Sequence, residues 1–245
     1  LGPRDFETFR KQLAKKYGPT TLKNEINRCR IVLKYAHDQR LIDREVHYGQ
    51  SFDKPSAKEL RRVRNEAGPR LYEADEVRQI LDAADPVMRA MVLLGINAGF
   101  GNTDCATLPQ SAVDLDSGWI DFPRPKTEIN RRVSLWPETV NALTEAIEAR
   151  PRAKDTTDED LCFLTHHGKQ WVRVQVSKKS PDVLTSLDAL SQSFGKLLRK
   201  LDIDGHRNFY ALRHTFETIG GESRDQVAVN AIMGHVDSSM AGVYR

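Results

Sequence analysis

Tyr210-Ala211-Leu212-Arg213-His214-Thr215, then Gly234-His235, then Tyr244: on this stretch turns the reading of the whole 245-residue chain. Tyr244 follows His235 by nine residues. An arginine and a histidine on short helical segments, followed by a tyrosine at this distance, can gather round one phosphodiester. The arginine and histidine stabilise charge on phosphate oxygens while the phenolic oxygen attacks phosphorus. Tyrosine is a poor nucleophile at its free pKa of ~10, so Tyr244 needs cations or a proton acceptor beside it. Taken singly, each residue has an ordinary structural role: Tyr244 as a core or surface aromatic, Arg213 in an ion pair, His235 as a helix-end cap. Their order and spacing argue for the joint role.

Outward from this stretch the pattern is mostly helical. Leu212, Phe216 and Ile219 mark the buried side of the helix carrying Arg213, and His214 faces about 100° away from Arg213. Leu187, Leu190, Phe194, Leu197, Leu198 and Leu201 define another helix, and Asp155 to Asp160 an acidic loop. Pro137 opens a helix running to about Ala149. Before it stand two extended pieces, 118–122 and 131–135, with Pro123 to Asn130 between them as a turn holding Lys126-Thr127. This reads as a hairpin with a cation near its tip. Val77, Ile80, Leu81 and Ala84 mark one helix, and Pro86 starts a second whose Met91-Val92-Leu93-Leu94 run is apolar enough for a core.

Nearer the start, residues 20–42 read as one amphipathic helix. Leu22, Ile26, Cys29, Leu33 and Ala36 form its apolar stripe, with Lys23, Asn27, Arg30 and Lys34 repeating directly beside it. One flank buries, and the other presents amides and cations to a nucleic-acid groove. Gln50 to Arg70 shows no clear periodicity and carries Pro55, Gly68, Pro69 and the basic run Arg61-Arg62-Val63-Arg64, so it reads as a linker. The net charge of +3 hides an asymmetry: residues 1–70 hold 17 Lys and Arg against 9 Asp and Glu, and the remainder 20 against 25. A basic first third points to a polyanion, most simply nucleic acid.

Composition excludes other classes. Hydrophobic content of 39% supports an ordinary core, while no apolar run approaches the ~20 residues of a membrane span. Cys29, Cys105 and Cys162 are odd in number and lack metal-ligand spacing, which fits a reducing cytoplasm and no structural zinc. Leu1-Gly2 does not look like a natural start and no leader is visible, so the expectation is a piece of a longer chain.

The C-terminal set resembles the tyrosine site-specific recombinases, the phage integrase family, whose box reads roughly H-x-L-R-H-T, then L-G-H, then Y. The resemblance implies a mainly α fold with a small antiparallel β-sheet (α+β). Residues 1–55 would be part of a helical core-binding domain, 56–70 a linker and 71–245 the catalytic domain. It implies DNA cleavage and rejoining through a 3′-phosphotyrosyl ester, with Tyr244 as nucleophile, Arg213 and His235 on the phosphate, and Lys126 as general acid for the leaving 5′-oxygen. Because the ester stores the bond energy, neither ATP, metal nor another cofactor is implied. The partners implied are double-stranded DNA and further copies of the chain in a tetramer on DNA, with no membrane, in a cytoplasmic protein of a phage or mobile element. Lys23, Asn27, Arg30, Lys34, Arg131 and Arg132 would touch DNA.

Two departures stand out. The family's first box, near T-G-L-R-x-x-E-L, falls on residues 98–105, where Gly101 occupies the arginine position. Tyr210 occupies the histidine position of the second box. Loss of one charge-stabilising donor costs ~10²–10³ in rate. Arg124, Arg131 or Arg132 could supply a substitute from the hairpin, and His206 could stand in one helical turn before Tyr210. A DNA-binding protein of the same fold that no longer cleaves is the alternative, with a relaxing topoisomerase-like enzyme a third.

Overall fold

Pro3, Pro19, Pro86 and Pro137 each open a helix. The proline ring presets φ, and its missing N–H is one that a first turn leaves unpaired anyway. The computed structural model describes residues 1–68, 70–177, 180, 182–205 and 207–235, so Tyr244 and His206 lie outside the described residues. The chain divides into two compact units, Leu1–Gly68 and Pro69–Arg245.

The first unit holds α1 (Pro3–Lys16), α2 (Pro19–Asp38) and α3 (Ala57–Glu66). Its core is Phe6, Leu22, Ile26 and Phe52, with Cys29, Leu33 and Tyr48 packed against them. The apolar stripe of α2 is therefore the face that buries. The segment expected as a linker instead contains α3. Ser56 caps it by accepting the Glu59 N–H at 3.1 Å, and this side-chain oxygen satisfies a first-turn donor that would otherwise be lost.

In the second unit, α4 (Ala74–Ala83), α5 (Pro86–Asn97) and the short α6 (Asn102–Ala106) come first. Helix α5 is apolar nearly all round, burying Met88 and Ala90 through Gly95, as a helix surrounded by others must. Strands β1 (Val113–Asp114), β2 (Trp119–Asp121) and β3 (Arg132–Ser134) form an antiparallel sheet in that order, with Ile120 opposite Val133. Then come α7 (Pro137–Glu148), a second antiparallel pair β4 (Val172–Val176) and β5 (Leu184–Asp188), α8 (Ala189–Lys200), α9 (Tyr210–Glu222) and α10 (Gln226–Met233).

The β4–β5 hairpin is an addition to the single sheet read from sequence. It also takes Leu187 away from the helix read there, because Asp188 caps α8 by accepting the Ser191 N–H at 2.7 Å. On α9 the buried side is Ala211, Leu212, Arg213 and Thr215; Ile219, expected inside, is 61% exposed. Helix α9 packs on α5, and Gly95 allows the approach: a β-carbon there would meet the Leu212 Cβ at 2.9 Å. The three cysteines are free, and burial pushes the Cys162 thiol up to about 12. No described helix is long and apolar enough to cross a membrane.

Asn97 fixes where the hairpin ends. Its carbonyl oxygen accepts from the Trp136 N–H (2.8 Å) and the Thr139 hydroxyl (2.9 Å), and its amide donates to the Ser134 carbonyl (3.1 Å). Asn97→Ala should therefore destabilise the second unit by about 2–4 kcal/mol, since buried groups lose their partners. A urea titration should show a lowered midpoint at unchanged slope.

Candidate active site

Helix α9 carries Arg213 into the interior, where the residue is 1% exposed. Its guanidinium donates from Nη1 to the Gly99 carbonyl and from Nη2 to the Met233 carbonyl at 2.8 Å. Gly99 lies just past α5 at φ +61°, a conformation glycine reaches without steric cost. Burial first, and then the neighbouring Arg124, draw the Arg213 pKa below the ordinary arginine value. Thr215 anchors the same face, accepting the Tyr72 N–H at 3.1 Å.

The end of α10 explains the Gly234-His235 pair. Gly234 is left-handed (φ +59°), its N–H donates to the Ala231 carbonyl (3.2 Å), and the His235 N–H donates to the Asn230 carbonyl (3.0 Å). This is a Schellman end, which turns the chain sharply after the last helical residue. It sets the His235 imidazole beside Arg213. Burial lowers the pKa of His235, with Arg213 and Arg124 adding repulsion and Glu217 opposing it.

The β2–β3 hairpin reaches the same place. Arg124 donates from Nη1 to the Gly234 carbonyl at 3.3 Å, and the Thr127 hydroxyl donates to that same oxygen at 3.2 Å. The turn between them is tight: the Arg124 carbonyl accepts the Thr127 and Glu128 N–H groups at 3.1 and 2.8 Å. Lys126 sits within this turn and is exposed. The cation at the hairpin tip thus stands where the sequence reading placed it, next to the strap that holds the tip to Gly234.

The other two hairpin arginines part company. Arg131, expected to touch DNA, has a fully buried side chain paired with Asp104 at 2.7 Å, and its guanidinium lies 4.1 Å from the Phe100 ring centroid. It is a structural cation inside the unit, and its pKa is lowered by that burial. Arg132 stays outside, over the Trp119 ring at 4.7 Å and 3.6 Å from Asp121.

Gly101 and Tyr210, the two departures from the family boxes, face each other. A β-carbon at Gly101 would lie 3.1 Å from the Tyr210 ring and 3.2 Å from the Asp104 carboxylate. The Asp104 carboxylate accepts the Gly101 N–H at 2.7 Å. Tyr210 also packs edge-on against His214, with centroids 5.1 Å apart, and His214 is exposed beside Glu217.

In the first unit, Lys23 and Asn27 are half-buried and Lys34 is exposed, paired with Asp38 at 2.8 Å. Arg30 departs from the expected groove-facing cation. It donates to the Phe52 carbonyl (2.8 Å) and Asp53 (3.1 Å), holding the unit's own loop. Sequence reasoning missed a basic hollow of about 510 Å³ in the second unit, lined by Lys154, His166, His167, Lys169 and Arg173. Adjacent His166-His167 with flanking lysines was the signal available for it. Among the described residues no cluster of His, Cys, Asp and Glu could hold a metal ion.

Because the folded chain disfavours the His235 imidazolium, the unfolded chain takes up that proton first. This contribution to stability is intact above the ordinary histidine pKa of about 6.5 and is lost as pH falls below it. An NMR titration of the DNA-free protein should give His235 a midpoint below about 6.5. Glu217→Gln, which removes the opposing carboxylate, should lower it further.

Residues 70–245 match the model of the phage integrase family. Among curated proteins none matches. In fold, the chain resembles the Tn1549 transposon integrase (residues 82–397) in complex with circular intermediate DNA, at TM-score 0.67 and 14% identity over 100% of this chain and 80% of that one. It resembles lambda integrase (residues 75–356), solved as a dimer bound to a COC′ core site, at 0.69 and 12% over 98% and 81%. XerA recombinase follows at 0.55 and 20% over 100% and 78%. The match covers the hairpin, the buried arginine and the histidine after the Schellman glycine alike: the chain belongs to the phage integrase family.

Proposed function

We propose that this chain is a site-specific recombinase that cleaves and rejoins duplex DNA through a 3′-phosphotyrosyl intermediate. One observation carries the reading. Arg213, His235 and the Lys126 hairpin come from three separate segments and meet at the carbonyls of residues 233 and 234. Tyr244 follows His235 by nine residues in the sequence. In the reaction its phenolic proton passes to water, and the freed oxygen bonds to phosphorus. The bond from phosphorus to the 5′-oxygen breaks, and that oxygen takes a proton from the Lys126 ammonium. Arg213 and His235 hold the nonbridging oxygens while charge builds on them. Attack by a 5′-hydroxyl from another strand reverses each step, so the ester keeps the energy of the broken bond.

Lys23, Asn27, Lys34 and Arg132 would hold duplex phosphates or bases outside the site, and Tyr210 would hydrogen-bond a phosphate oxygen from the second-box position. The working assembly is read as a homotetramer on DNA, in the cytoplasm, serving a phage or another mobile element. The solved relatives that support DNA as the partner are a transposon integrase on circular intermediate DNA and a lambda integrase dimer on its core site.

The test uses a nicked duplex carrying a site selected by the protein from a random pool. The unchanged protein should give a covalent protein–DNA band that vanishes in Tyr244→Phe. Lys126→Ala should slow band formation by ~10²–10⁴, the usual contribution of a general acid. Tight binding with no band from the unchanged protein would favour the non-cleaving reading, to which Gly101 and Tyr210 lend weight.

A further inference from the structure

Resting on the strand-transfer reading above, we infer that Arg124 is a catalytic residue that supplies the second guanidinium to the scissile phosphate, the one Gly101 lacks. Four observations lead there. First, the usual direction of approach is closed. The Tyr210 ring fills the space over Gly101 so tightly that even a β-carbon would sit 3.1 Å from it, inside ordinary van der Waals contact. Any second guanidinium must therefore enter from another element.

Second, the hairpin offers three arginines and the structure removes two. Arg131 has no exposed side-chain surface and is paired with Asp104. Arg132 lies outward over Trp119 with Asp121 beside it.

Third, Arg124 already reaches the centre. Its guanidinium bonds the Gly234 carbonyl while that of Arg213 bonds the Met233 carbonyl. The two cations thus grip consecutive peptide units, whose Cα atoms are about 3.8 Å apart. A single phosphate placed there faces both, with His235 next in the chain. The Arg124 contact is long at 3.3 Å, and its acceptor is a neutral carbonyl, so a phosphate oxygen would displace it through a shorter, charge-assisted bond.

Fourth, the stem is preorganised. The Arg124 N–H donates to the Ile129 carbonyl at 2.9 Å and its own carbonyl closes the turn. A β-carbon at Gly234 would strike the Arg124 Cβ at 2.9 Å, so glycine is needed there for the stem as well as for the left-handed turn. With the backbone pinned, only the outer side-chain torsions must adjust when DNA arrives, which keeps the entropic cost of binding small. The groups facing the centre are Arg213 and Glu217 from α9, His235 after α10 and Arg124 from the hairpin, and both arginines and Glu217 act on the imidazole.

The experiment is single-turnover cleavage at saturating protein on two nicked duplexes of the selected site, one with an ordinary scissile phosphodiester and one with a methylphosphonate there. The methylphosphonate lacks the anionic oxygen, so a group that stabilises that charge matters little on it. Arg124→Met keeps the aliphatic stem against Gly234 and removes the cation. We expect it to slow cleavage of the phosphodiester by ~10²–10³ and to stay within about tenfold of the unchanged protein on the methylphosphonate. Arg78→Met, at an exposed α4 arginine paired with Asp75 at 2.6 Å, should cleave both duplexes at close to the unchanged rate and serves as the companion variant. The assignment is overturned if Arg124→Met cleaves the phosphodiester within about threefold of the unchanged protein, or if both substrates slow by the same factor, which marks a role in hairpin shape. If the unchanged protein forms no Tyr244-dependent covalent product on either duplex, the strand-transfer reading falls, and this assignment falls with it.

Discussion

A cation buried without a carboxylate of its own is expensive, and among the described residues Arg213 is such a cation. Taking a guanidinium out of water is tolerable only if its N–H groups find acceptors. Here the acceptors are peptide carbonyls at Gly99 and Met233, contributed by segments far apart in the chain. That demand propagates. Helix α9 must lie close enough to α5 for the side chain to reach past it, hence Gly95 beneath Leu212. The loop after α5 must turn its carbonyl inward, hence Gly99 in the left-handed region. Helix α10 must stop at Met233, hence the Schellman glycine that follows. Asp104, a carboxylate that acts on Arg213 through space, is already committed to Arg131 and to the Gly101 N–H. Among the described residues Arg213 therefore keeps an unneutralised charge, which is what an anion site requires.

The two departures from the family boxes are one packing event. Gly101 and Tyr210 belong to different segments, yet the ring of one occupies the side-chain space of the other. A bulky ring at 210 is compatible with glycine at 101, and a long side chain at 101 would need that ring to move. Each substitution alone would be costly, one leaving a void and the other a clash; together they leave neither. Reading the positions independently suggests two lost functions. In contact they are a single rearrangement, with the hairpin left as the side from which charge can enter.

What the sequence disclosed and what it hid follow from the range of the forces involved. The stripe of Leu22, Ile26, Cys29 and Leu33 and the apolar run of α5 were legible because periodicity is a local property. The hairpin turn with Lys126 was legible because two extended pieces flank it. Ile219 fell outside despite its helical spacing, since which flank of α9 buries is decided by α5 and not by α9 itself. Helix α3 was missed although Ser56-Ala57-Lys58-Glu59 is a capping signature, because its basic run suggested a solvated linker. The β4–β5 hairpin was missed although Val172, Val174 and Val176 alternate with polar residues and Pro181-Asp182 is a turn signal in the sequence. Arg30 and Arg131 looked like free cations in sequence. Only packing reveals that one holds the Phe52–Asp53 loop and the other an interior carboxylate.

Net charge and local charge point in opposite directions in the second unit. Residues 71–245 carry 20 basic against 25 acidic side chains, yet Arg213, Arg124, His235 and Lys126 gather at one end of two helices and a hairpin. The acids do other work: Asp85, Asp188 and Asp225 cap helices by accepting first-turn N–H groups, Asp158 is buried and accepts the Gln170 amide at 2.6 Å, and Asp155, Glu159 and Asp160 are exposed. Placing carboxylates at helix N-termini satisfies donors and favours the dipole, and it also keeps them away from the phosphate position. Non-specific attraction to DNA must then come chiefly from the basic first unit, with its salt dependence. In the proposed reaction Arg213, Arg124, His235 and Lys126 would stand where charge develops, while Lys154, Lys169 and Arg173 line a separate hollow of the unit. On the proposed reading, long-range capture and short-range stabilisation would rest on different residues, so each is open to change without forfeiting the other.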